Sequence, residues 1–131
     1  MSMLDTYRNN LLRKREEAAK LNQDLAKEQA KIAPLQQKII SANAAIGRTK
    51  SASTIKSKLN EIERANKAIA DTQKKVGDIQ KKLAQKEKEI AAAEKTYHNE
   101  ETKVNKKAAD AEKKRIQEAS RQSAALEQAI H

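Results

Sequence analysis

His98 is one of only two histidines in this chain of 131 residues; the other is His131. It follows Tyr97, and Glu100 and Glu101 lie just beyond it. A histidine beside two carboxylates can hold a metal ion, and in helical bundles a Glu-x-x-His spacing does so. Here the order and spacing are wrong for that motif, and Lys95 and Lys103 lie nearby. A solvated helix face is the expected role, with no metal site. No Ser/His/Asp set can be assembled, and there is no cysteine to act as nucleophile, thiolate ligand or disulfide partner. Gly47 and Gly77 are the only glycines, so no glycine-rich phosphate loop is present. The chain is expected to be non-enzymatic, and no cofactor is implied.

The remaining chemistry is electrostatic. The formal net charge is +10, and residues 48–58 carry four basic and no acidic side chains. Arg48, Lys50, Lys56 and Lys58 surround Ser51, Ser53, Thr54 and Ser57. A basic, hydroxyl-rich turn at a helix N-terminus can bind phosphate, because backbone N–H groups and the helix dipole act together. Arg48, Lys50, Ser51, Ser53, Lys56 and Lys58 are therefore a candidate anion-binding tip. Tyr7 and Tyr97 are the only aromatics, and base stacking needs more. Nucleic acid is the alternative partner rather than the favoured one, and a solvated, capped turn is the competing role for the tip.

These residues must be carried by helices. Ala, Glu, Lys, Leu, Gln and Arg dominate, charged residues make up 35%, and Phe, Trp and Cys are absent. That is the composition of coiled coils. Stepping alternately by three and four from Leu4 gives Tyr7, Leu11, Lys14, Ala18, Leu21, Leu25, Glu28, Ile32, Leu35, Ile39, Ala42 and Ile46. Only Lys14 and Glu28 are polar, which makes a heptad seam. A second series steps by seven from Ile55 through Ile62, Ile69, Val76, Leu83, Ile90 and Tyr97 to Val104 and Ala111. Its companion positions are Leu59, then Ile79, Lys86 and Ala93.

The two registers are offset by two residues, which continuous coiled coils do not absorb easily. Between them lies Gly47 to Thr54. Gly47 suits a helix C′ position with positive φ, and Ser51, Ser53 and Thr54 suit an N-cap. An all-α antiparallel hairpin is expected over residues 1–97: arm one 3–46, turn 47–54, arm two 55–97. The competing possibility is one uninterrupted helix with a phase slip. Each arm would be about 65 Å long. Pro34 interrupts arm one, but the seam passes it in phase, so a kink is expected rather than a break. Gly77 offers either close approach of another helix or a tolerated surface glycine.

Residues 98–131 are expected to form a helical extension or linker. Ile116, Ala119, Ser123, Leu126 and Ile130 make a further three-four series, out of phase with the one before. It stops abruptly at His131, as a fragment of a larger protein would. One hairpin has a single seam containing several alanines and would be marginal alone. A homodimer or higher oligomer, packed as a helical bundle, is therefore expected. No apolar run is long enough to span a membrane and no secretory signal opens the chain. The cytoplasm is the expected location.

The segments Met3-Leu4-Asp5-Thr6-Tyr7-Arg8-Asn9 and Ile46-Gly47-Arg48-Thr49-Lys50-Ser51-Ala52-Ser53-Thr54-Ile55-Lys56-Ser57-Lys58 resemble the N-terminal coiled-coil region of bacterial multidomain signalling and antiphage defence proteins. In these the coil precedes an effector domain, often a Toll-receptor-like (TIR) domain. The resemblance covers residues 3–97. It implies an oligomerising or sensing segment, with a protein partner or an appended effector domain. It transfers no enzymatic activity, because no effector domain lies within these residues.

Overall fold

The structure, a computed structural model, describes residues 1–130; His131 lies outside them. Among the described residues there are helices and no strands: α1 (Met3–Ala30), α2 (Ile32–Arg48) and α3 (Ala52–Ile130). The expected all-α class holds.

Each helix start has a local cause. Ser2 caps α1: its Oγ accepts from the Asp5 N–H at 3.1 Å and its carbonyl from the Thr6 N–H at 3.1 Å. Ser51 caps α3 in the same way, accepting from the Thr54 N–H at 3.3 Å, with its carbonyl taking the Ile55 N–H at 3.0 Å. The turn is shorter than the expected span 47–54, because α3 begins at Ala52 as soon as Ser51 caps it. Thr49 closes α2 in an extended conformation (φ −122°, ψ 152°). Gly47 does not act as a left-handed C′ residue. It stays inside α2, and no glycine has positive φ.

Pro34 interrupts arm one at Lys31. A proline has no N–H to give the carbonyl four residues back, and its ring crowds that carbonyl. That carbonyl belongs to Ala30, the last residue of α1. Lys31 keeps right-handed helical dihedrals (φ −74°, ψ −21°), and its N–H bonds the nearer Glu28 carbonyl at 3.1 Å. The disturbance is one residue long, and seam residues Ile32 and Leu35 stay half-buried beyond it.

The contacts divide the chain into two units, Lys14–Glu89 and Met1–Arg13 with Ile90–His131. In the first, the helices before and after the turn run antiparallel. Lys14 reaches Glu89 and Glu17 reaches Lys86, so one helix of the pair advances by three as the other retreats by three. The buried residues of this unit are Ala42, Ala65, Thr72 and Leu83. In the second unit Leu11 and Ala93 are buried, and Tyr97 feels the charges of Arg8 and Asp5. From Thr102 to Ile130 every residue of α3 is exposed.

Candidate functional site

The hairpin seam is the largest feature. All thirteen positions of the series from Leu4 to Ile46 are buried or half-buried. Leu11 and Ala42 are the buried ones. Leu4, Leu21, Leu25, Ile32, Leu35, Ile39 and Ile46 are half-buried. In α3 Ile55, Ile62, Ile69, Val76, Ile79 and Ile90 are half-buried and Leu83 is buried, whereas Val104 and Ala111 are exposed.

Leu59 is a correction: it is 53% exposed. Three steps on from Ile55 is Lys58, and Lys58 occupies the inward position. It is half-buried, its ammonium reaches Glu61 at 3.3 Å, and a lysine stem is apolar enough to cover seam surface. The same spacing leads to Ala65 and Thr72, which are 4% and 7% exposed. Sequence reading missed both, because it phased the companion series on Leu59, and the true series opens on a lysine and includes a threonine. A strict step of seven from Lys58 would have found them.

Polar seam positions are paired rather than empty. Lys14 donates to Glu89 at 3.2 Å, and Lys86 donates to Glu17 and lies 3.4 Å from Glu89. The hydrogen bond from Lys14 holds the Glu89 carboxyl below the ordinary carboxylate range, against the opposing effect of burial. The bond to Glu17 holds the Lys86 ammonium above the ordinary lysine range. Glu28, the second polar residue in the α1 series, accepts from Lys31 at 2.8 Å. That bond, assisted by the charges of Lys31 and Lys75, lowers its pKa although burial opposes it. Its other oxygen, Oε2, is buried without a hydrogen-bond partner.

The tip residues are partly spent on the turn itself. Arg48 Nε donates back to the Ala44 carbonyl at 3.3 Å, covering a C-terminal acceptor of α2. The Ser51 and Ser53 hydroxyls lie 3.2 Å apart, and the Ser51 N–H donates to Thr49 Oγ1 at 3.1 Å. Lys50 and Lys56 are exposed. Lys58 belongs to the seam.

Elsewhere the side chains are solvated. His98 is 66% exposed, with Nδ1 3.9 Å from Glu101 Oε1. The Tyr97 phenol bonds Glu101, which together with burial raises its pKa. Among the described residues no three His, Cys, Asp or Glu side chains are grouped as a metal site would need, and no helix is long and apolar enough to cross a membrane. No glycine is required by close packing. A Cβ on Gly47 or Gly77 would meet nothing within 4 Å, so among the described residues no helix packs closely against Gly77.

No protein-family model, no curated protein and no solved structure matches the chain.

Proposed function

We propose that the chain is a non-enzymatic coiled-coil module that self-associates, as a dimer or higher homo-oligomer, and scaffolds a protein partner or an appended effector domain. The observation that carries this reading is the thinness of its own core. Six of the described residues are buried; three are alanines, one is Thr72, and no side chain falls below 2% exposure. Hydrophobic stabilisation scales with apolar area removed from water. Helices with so little buried in one seam gain most by burying a second face in a bundle.

The resemblance to coils that precede TIR-like domains extends the reading. On it, this is the self-association or sensing segment of a bacterial signalling or defence effector, working in the cytoplasm. Sedimentation velocity over a hundredfold range of micromolar concentrations tests the core of the proposal. The expected outcome is a mass that rises to at least twice the monomer mass of 14.6 kDa. A monomer mass independent of concentration would overturn it.

A further inference from the structure

The two broad faces of the Lys14–Glu89 unit differ in charge far more than composition explains. Around a helix each residue turns 100° from the last. In an antiparallel pair, one step forward from the seam on either helix therefore points to the same side of the pair, and one step back points to the other. The backward side is visible as shared grooves. Glu17, Lys20 and Asp24 line one groove with Lys82, Gln85 and Glu89, and Pro34, Lys38 and Ser41 line another with Glu61, Arg64 and Ala68.

On that side, seventeen positions between 17 and 45 and between 61 and 85 include twelve charged residues. The matching seventeen positions of the forward side, between 19 and 47 and between 59 and 84, include one, Glu63. At the chain's 35% charge about six would be expected on either side.

The forward side has a repeating make-up. Every seventh residue from Ala19 gives Ala26, Ala33, Ile40 and Gly47, and every seventh from Ala70 gives Gly77 and Ala84. Asparagine and glutamine fill the positions between them: Asn22, Gln29, Gln36 and Asn43 before the turn, Asn66, Gln73 and Gln80 after it. The register set by Lys14–Glu89 and Glu17–Lys86 puts Ala19 level with Ala84, Ala26 with Gly77 and Ala33 with Ala70. All of these are exposed except Gly77, which is half-buried. Two large apolar side chains, Ile40 at 60% and Leu59 at 53% exposure, sit on the same side near the turn.

We infer that this uncharged face is the docking surface for a second copy of the chain, an inference that rests on the self-association reading above. Two chains of net charge +10 repel one another, and a face with almost no charge is where they can meet without burying unpaired ammonium groups. Small residues on both helices let backbones approach, and the amides can bond across the contact. The size fits. Some 28 residues of helix at 1.5 Å rise and two helices of about 10 Å make roughly 800 Å² per partner, which is the standard interface of a stable complex.

The test uses full-length Ala26→Glu/Ala70→Glu, with Ser41→Glu/Gln85→Glu as a control of equal charge change on the opposite face. All four positions are exposed, so helicity by circular dichroism should be unchanged in both. Sedimentation should show dimer association weakened about a hundredfold or more in the first variant, as burying an unpaired carboxylate requires, and within a few-fold of wild type in the control. Wild type and both variants associating equally would overturn this face while leaving self-association intact. A monomeric wild type would overturn both.

Discussion

At the scale of single residues, the seam solves a problem that its apolar pattern creates. A uniform stripe lets two helices slide past each other by a heptad. Lys14, Glu28 and Lys86 break the uniformity, and Lys14 and Lys86 find their opposite charges across the pair. Removing one partner strands a charge near the seam, so such groups specify register more than they stabilise. Their titration has a definite sign. Glu89 and Glu28 have lowered pKa values in the folded chain. The stability they contribute is present above the unfolded carboxylate range and is lost as pH falls through the lower folded values. Lys86 is raised, so its contribution is full below the unfolded lysine range and is lost as pH rises through the higher folded value. Thermal midpoint should therefore be flat across neutral pH and fall at both the acid and the strongly alkaline end. In Glu89→Gln the acid fall should be shallower and the neutral plateau lower. A variant with the wild-type acid profile would show that the Lys14–Glu89 pair contributes nothing.

At the scale of elements, Pro34 sets the weakest point of the first arm. The three-four spacing carries Ile32 and Leu35 past it in phase, so the helix absorbs the missing N–H by a one-residue disturbance at Lys31. Pro34→Ala restores the hydrogen bond to the Ala30 carbonyl and removes the ring clash. It should stabilise the chain by about 1–3 kcal/mol, seen as a higher urea midpoint with an unchanged slope. No change would mean that the seam already offsets the defect. Much of this level was legible from residue order alone: the two heptad series, their offset and the proline that fails to break the phase. The turn was less so. Gly47 invited a left-handed cap, but Ser51 supplies a side-chain cap that starts α3 three residues earlier than the seam itself does. Leu59 misled for a related reason. Apolarity suggested an inward position, whereas the helical step from Ile55 favours Lys58, whose long stem is apolar enough to fill it. The ion pairs across the seam could not be read without the register that the fold imposes.

At the scale of the whole molecule, burial is distributed unevenly along α3. Before Thr102 its seam positions are covered; from Thr102 to Ile130 nothing is. Ile116, Leu126 and Ile130 are 56%, 65% and 81% exposed in that stretch. Its helicity rests on propensity and local pairs such as Arg115 with Glu112 at 2.6 Å. Propensity alone is marginal for helices in water. Local opening free energy follows buried contact density, so amide hydrogen exchange should vary steeply along one continuous helix. Amides around Ala65, Thr72 and Leu83 should exchange slowest, close to the global unfolding rate. Those beyond Thr102 should show little protection at any protein concentration at which the uncharged face is docked. Protection of the 102–130 stretch equal to that of the seam would require a second covering surface there. The assembly would then be built by the last third of α3 as well as by the hairpin face.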